Sequence, residues 1–314
     1  MNKRVYGVLG ISSIMANWNA DFSGYPKTTS NGDTFGSDKA LKYPMKKMWD
    51  NAGKKVLYIK SMKFSNKKDE ISLVPKSLKE RYEQLYDVED LKKCKDTTQV
   101  VSNLMCAIDV KNFGATFAEE GNNISITGAV QIGQGFNKYQ DTYPEEQQIL
   151  SPFRDASGDK KAGSEEARNS TLGTKIVSNE AHYFYPFVIN PKTYKELVEL
   201  GVTEGYTQDD YNEFKKTAIT STTAFATNSK VGCENEFALF VETTEEAYLP
   251  NLSEYIAFMK VDGKNVIRLQ CSELINDMSN DILNVEIFYN PYTTVLESDI
   301  KGARLFNIFT QKEV

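Results

Sequence analysis

Only one imidazole is present in this chain of 314 residues, that of His182. A Ser-His-Asp or Cys-His relay would have to run through it, and a multi-histidine zinc or iron site cannot be assembled. His182 stands in a run with Tyr183, Phe184 and Tyr185, the setting of a packed or surface strand residue rather than a general base. The four cysteines, Cys94, Cys106, Cys233 and Cys271, form no CxxC pair. They read as reduced and mostly buried thiols, not as a zinc ribbon or a disulfide framework. Gly128 and Gly133 have the separation of a P-loop, but Gln134 and Gly135 stand where Lys-Ser/Thr is required. The opening glycines do not spell GxGxxG ahead of a helix. Carboxylate pairs such as Glu119-Glu120 and Asp209-Asp210 read as surface or cap charges. These residues support no catalytic group, no metal and no cofactor.

The chemistry they do support is anion binding. Residues 39–68 hold ten lysines and one acid, Asp50, a window of +9 in a chain whose net charge is −6. The rest of the chain therefore carries −15. A charge run is usually a solvated face, yet a basic stripe on an acidic body suggests an anionic partner.

The elements that must position these lysines can be read in outline. Val5, Leu9 and Ile11 alternate as one face of an opening core strand; Gly7, Gly10, Ser12 and Ser13 interrupt what would otherwise imitate a signal peptide. An Asn/Asp/Gly/Ser-rich loop, 17–36, follows. Ser37 then caps a helix reaching Trp49, with Leu41, Met45, Met48 and Trp49 on its inner stripe; Pro44 either kinks that helix or marks its first turn. Residues 56–62 read as a strand. Ser77 and Glu80 make a capping box for a helix over 78–91. A further helix is expected over 97–108, and one strand over 123–132 with Ile124, Ile126, Val130 and Ile132 on one face. Its other face, Asn123, Ser125, Thr127 and Gln131, is polar and open to a ligand. Residues 154–175 are almost free of apolar side chains and read as a projecting hairpin or loop. Pro186 suggests an edge or a bend in the strand over 181–189. Thr207 and Asp210 cap a helix to about residue 226, and strands follow at 237–241 and 283–289. No stretch approaches the roughly 18 apolar residues of a membrane helix; a cytoplasmic protein without a membrane partner is expected.

Three motifs in order resemble a known family. Asn31-Gly32-Asp33 with Ser37-Asp38-x-x-Leu41-Lys42-x-x-x-Lys46 is similar to the start of the CRISPR-associated Cascade backbone subunit, a RAMP-superfamily protein of type I effector complexes. Asp109-Val110-Lys111-Asn112-Phe113-Gly114 is similar to that family's Asp-Val-Arg-x-Phe-Gly, and Thr127-Gly128-Ala129-Val130-Gln131 to its Thr-Gly-Pro-Val-Gln. The resemblance covers the first 135 residues, continues through 179–187 and 224–241, and is closest to subtype B. Lys46 and Lys111 stand for usual arginines, Ala129 stands for proline, and Pro44 falls inside the first helix.

The resemblance implies an α+β fold: a ferredoxin-like palm, or modified RNA-recognition motif, with a helical fingers insertion and a thumb hairpin. Residues 1–63, 97–139 and 179–314 would be palm and its C-terminal elaboration, 64–96 fingers and 140–178 thumb. It implies a non-catalytic subunit that oligomerises along guide RNA (crRNA), with neighbouring copies, other Cascade subunits and, through the guide, target DNA as partners. The RNA-binding residues expected are Ser37, Lys39, Lys42, Lys46, Lys60, Lys111, Thr127, Gly128, Gln131, Arg154, Arg168 and Lys175. Ser37 is assigned to capping first and RNA second, and Gly128 to close RNA approach or to a bulge. The alternative is a metal-dependent RNA endonuclease of the type III backbone kind, using Asp21 or Asp33 in the loop after the first strand.

Overall fold

β1 (Arg4–Ala16) lies at the centre because both of its faces are apolar. Val5, Leu9 and Ile11 enter one core cluster, while Tyr6 and Val8 enter the other. The computed structural model describes residues 1–67, 70–150 and 172–314. Arg154 and Arg168 lie outside these described residues.

The chain continues with β2 (Phe35–Gly36), α1 (Asp38–Asn51), the ribbon β3 (Met62–Lys67) and β4 (Glu70–Pro75), then α2 (Leu78–Tyr86), α3 (Thr97–Met105) and α4 (Ile108–Phe113). Next come β5 (Gly114–Phe117), β6 (Ile124–Thr127), β7 (Val130–Ile132), β8 (Gly135–Asn137), β9 (Pro144–Leu150) and the long β10 (Leu172–Ile189). After α5 (Lys195–Glu199), α6 (Gln208–Ala218) and α7 (Ser221–Ala224) come β11 (Cys233–Thr243), β12 (Ile256–Val261) and β13 (Lys264–Leu269). The last elements are α8 (Ser272–Asp277), β14 (Ile282–Tyr289), β15 (Thr294–Glu297) and β16 (Arg304–Asn307). The main sheet runs β16-β14-β11-β1-β10-β8-β2, with β7 and β9 also on β10. Its pairs are antiparallel except β14 with β16. Side chains of α1, α3, α4 and α6 fill one core cluster, and those of the small sheet β12-β13 and of α8 fill the other. The fold is mixed α/β. No helix among the described residues is long and apolar enough to cross a membrane.

Several expectations are corrected. Residues 56–61 form no strand, because the amides of Leu57 and Tyr58 donate to the Asp109 carboxylate, each at 2.8 Å, instead of to a ladder. The helix starting at Leu78 ends at Tyr86, where Asp87 turns left-handed at φ 53°. The helix expected over 97–108 is two: α3 stops at Met105, and the Ile108 amide opens α4 while donating to the Lys55 carbonyl. The single strand over 123–132 is also two, with β6 paired to β5 and β7 to β10. The helix expected to reach 226 breaks after Ala218, and α7 is separate. Of the cysteines, Cys233 and Cys271 are buried, but Cys106 is exposed.

Both capping boxes form as read, Ser77 with Glu80 and Thr207 with Asp210. Pro186 lies inside β10, and its carbonyl accepts from the Gly133 amide. A strand residue's N–H and C=O point the same way, so the missing proline donor faces the gap between β7 and β8.

Candidate nucleic-acid interface

α1 starts where its sequence says. The Ser37 hydroxyl accepts from the Ala40 amide, and Asp38 supplies a negative charge to the first turn. Pro44 is inside the helix, not at its first turn. Lys42 and Lys46 follow at one-turn intervals, and their ammonium groups lie 5.2 and 5.9 Å from the Phe113 ring centroid. Lys42 pairs with Asp38 at 2.8 Å. Both side chains are half-buried, and an i,i+4 helix pair contributes about 0.3–0.5 kcal/mol, a modest hold on the ammonium.

Lys46 is held differently. Its ammonium lies 3.5 Å from Asp109, a carboxylate with no solvent exposure, and 3.4 Å from the Tyr58 carbonyl. Burial pulls the Lys46 pKa down more than Asp109 raises it, so the net shift is downward. The Tyr58 hydroxyl donates to the Thr116 carbonyl at 2.6 Å and is pushed up to about 12, chiefly by burial. Asp109 thus ties α4, the 54–61 segment and α1 together.

The other two motifs meet the same spot. Gly114 ends α4 at φ 85°, a conformation that favours glycine. A Cβ on Gly114 would fall 2.3 Å from the Ile126 carbonyl oxygen, and one on Gly128 would fall 2.4 Å from that of Asn112. The two glycines therefore let the end of α4 pack, backbone to backbone, on the break between β6 and β7. Gly128 is buried there, which explains the residue without RNA. A bulky side chain at Gly128 cannot discriminate the two readings, because it would collide with α4.

Thr127 and Gln131 are exposed, and the Gln131 amide donates to the Gly128 carbonyl at 2.8 Å. Ala129 is useful where proline would not be: its amide donates to the Tyr194 hydroxyl at 3.1 Å, and that hydroxyl donates to the Lys111 carbonyl at 2.7 Å. Tyr194→Phe is expected to lower stability by about 1–3 kcal/mol, the penalty for buried polar groups left unpaired. An unchanged urea midpoint would show that this relay carries no weight.

The structure thus brings Lys42, Lys46, Thr127 and Gly128 around Phe113, with Ser37 at the start of the helix that carries the two lysines. Lys111 is not with them: its ammonium pairs with Asp210 at 2.8 Å and Glu204 at 3.7 Å, on the α6 side. Lys39 and Lys60 are exposed and pair with no carboxylate among the described residues. Lys175 is half-buried on β10, opposite Gln147 of β9. The basic window is less basic in space than in sequence. Beyond Lys42 and Lys46, Lys47 pairs with Asp50, Lys54 with Glu213 and Lys63 with Glu80. Asp109, Tyr58 and Phe113 were missing from the expected site. Their signal was the four-residue spacing of Asp109 and Phe113, which puts them on one helix face.

The acids of the nuclease alternative serve their own loop. The Asp21 carboxylate accepts from the Ser23 and Tyr25 amides at 2.8 and 3.0 Å, and Asp33 accepts from the Thr29 hydroxyl at 3.3 Å. Among the described residues no group of three or more His, Cys, Asp or Glu is placed to hold a metal ion.

No curated protein matches this sequence. A chain of a solved structure described as "CRISPR RNA-guided surveillance complex, pre-nicking" is similar in fold, with a TM-score of 0.56 at 13% identity. The similarity covers 97% of this chain and 96% of that chain. A sequence model described as "CRISPR-associated protein Cas7" matches residues 3–277, a span that takes in all three motifs around Phe113. The chain belongs to the CRISPR-associated protein Cas7 family.

Proposed function

We propose that this protein is a guide-RNA-binding backbone subunit of a type I CRISPR effector complex, of a subtype B-like kind. Several copies line up along one RNA and leave its bases free to pair with target DNA, so that sequence is read by base pairing and not by side chains. The observation that carries this reading is the convergence of the three family motifs on one surface, with Lys42 and Lys46 over Phe113 and exposed Thr127 beside them. In this reading the main sheet and its helices are the ferredoxin-like palm, 64–96 the fingers and 140–178 the thumb, whose stem is the β9–β10 pair. The role in this reading is non-catalytic, and Asp21 and Asp33 serve as hydrogen-bond acceptors within their own loop.

The test is to purify the protein with its co-expressed partner subunits and sequence any nucleic acid that comes with it. Repeat-spacer RNA is the expected result. A folded assembly free of RNA would sink the proposal, and divalent-metal-dependent cleavage of bound RNA would replace it with the endonuclease.

The lysines divide by their partners. Lys39 and Lys60 are open and Lys42 is loosely held, so these grip phosphates, while Lys46 and Lys111 act mainly inside the protein. Lys39→Ala with Lys60→Ala is expected to weaken binding equally for unrelated guide sequences. It should flatten the slope of log affinity against log salt by about 0.7 per lysine, the value for a single-strand phosphate contact. An unchanged slope would return both lysines to ordinary solvated surface.

A further inference from the structure

β1 leaves β10 at Ala16, which lies opposite Ser178. Over 172–178, β10 keeps only β9 as a strand neighbour among the described residues. A two-stranded ribbon is marginally stable by itself, so the direction of this overhang needs a further anchor. Three consecutive residues, Asn17-Trp18-Asn19, supply one.

Asn17 is buried, and its side chain takes over where the β1 ladder stops. Nδ2 donates to the Ile176 carbonyl of β10 at 3.2 Å and to the Gly24 carbonyl at 2.8 Å. The Asn17 amide donates to the Ser229 carbonyl at 3.1 Å, and its carbonyl accepts from the Lys230 ammonium at 2.7 Å. Trp18 is buried in the core. Its Nε1 donates to the Tyr185 hydroxyl at 2.5 Å, and the Lys230 ammonium lies 5.1 Å from its ring centroid. Asn19 then turns to α1: its Oδ1 accepts at 2.8 Å from the amide of Ser37, whose hydroxyl caps that helix. The loop beyond adds a tie from the Tyr25 hydroxyl to Glu146 on β9. One tripeptide, rooted in the core, thus holds the overhang with one side chain and the lysine helix with another.

We propose that Asn17-Trp18-Asn19 is a bracket that fixes the β9–β10 overhang relative to α1, with Asn17 and Asn19 as positioning residues for guide-RNA binding. The inference rests on the reading of this protein as a guide-RNA binder, in which α1 supplies Lys39 and Lys42 and the overhang is the stem of the thumb. Neither asparagine brings charge, so each acts on geometry and not on phosphate attraction. Breaking a buried bond of this kind leaves its partners unpaired, which is why the bracket holds a direction.

The experiment uses the full chain carrying Cys94→Ser and Cys106→Ser, spin-labelled at Gln148→Cys on β9 and Asn51→Cys at the end of α1. Both label positions are exposed. Pulsed electron paramagnetic resonance on the RNA-free protein is expected to give a narrow distance distribution, widened about twofold by Asn17→Ala and by Asn19→Ala. Asn19 is half-buried, and its variant is expected to melt like the parent, so widening there is not unfolding. An unchanged width in either variant would overturn the bracket. Guide-RNA affinity should fall about tenfold in each, the worth of one or two hydrogen bonds. The slope of log affinity against log salt should stay unchanged, because no phosphate contact is removed. A merely structural tie would lower the melting temperature and leave affinity alone; unchanged affinity, or a flatter slope, would overturn the positioning role. Failure of the RNA-binding reading is seen separately: the parent protein would then carry no guide RNA, whereas the widths, measured without RNA, would still report the bracket.

Discussion

Asp109→Ala is expected to destabilise the protein by about 3–5 kcal/mol, the range for removing one partner from a buried ion pair. The carboxylate is fully buried and holds the Leu57 and Tyr58 amides and the Lys46 ammonium. Its loss leaves three donors unmatched where little water reaches. Asp109→Asn keeps the size and one acceptor, so a smaller loss is expected from it. The measurement is urea unfolding of parent and variants, followed by tryptophan fluorescence, since Trp49 lies on α1. An Asp109→Ala midpoint equal to the parent's would refute the role of this carboxylate as the tie between α1, α4 and 54–61. RNA affinity should fall with stability, because the Lys42–Phe113 surface depends on the same tie.

A second large effect is expected at His182, with a pH signature. The imidazole is fully buried on β10, with Nδ1 2.8 Å from Glu236 and Nε2 3.0 Å from Glu180. It stacks on Phe258 of β12 with centroids 3.9 Å apart, and Lys260 of the same strand pairs with Glu180 at 2.6 Å. The cluster fastens the small sheet to the main one. Burial alone would lower the histidine pKa, but the attraction of Glu236 and hydrogen bonds to both carboxylates outweigh it, and the net shift is upward. A raised folded pKa means that the protonated ring contributes its full stability below the ordinary histidine value of about 6.5 and loses it as pH rises through the folded value. His182→Ala is therefore expected to cost about 3–5 kcal/mol at pH 6, and the gap between variant and parent should narrow toward pH 9. A gap constant from pH 6 to 9 would mean that the ring packs without carrying charge.

Local grammar was legible in the sequence, and long-range partnership was not. The capping boxes at Ser77 and Thr207 and the opening strand follow from neighbours within a few residues, and each formed. The strand expected at 56–62 had the right residue types. It failed because its amides are claimed by Asp109, some fifty positions away. Charge misled for the same reason: a window count cannot see that Asp109, Glu213 and Glu80 fold back onto its lysines. At the candidate site, Lys42 and Thr127 were singled out by motif and lie on either side of the Phe113–Gly114 corner, while Lys111 points elsewhere. Gly128 was rightly singled out, but the backbone that approaches it is the protein's own.

β10 does two jobs with one uninterrupted strand. Residues 178–189 are registered on β1, while 172–178 extend beyond it, paired to β9. At about 3.3 Å per residue the overhang reaches roughly 20 Å past the end of that pairing. A pull on its outer tip therefore loads the β1–β10 hydrogen bonds lengthwise and together, in shear, instead of peeling them one at a time. The β9–β10 overhang is built as a tow bar: tension applied there is delivered to the middle of the core, and the joint resists it with its whole length.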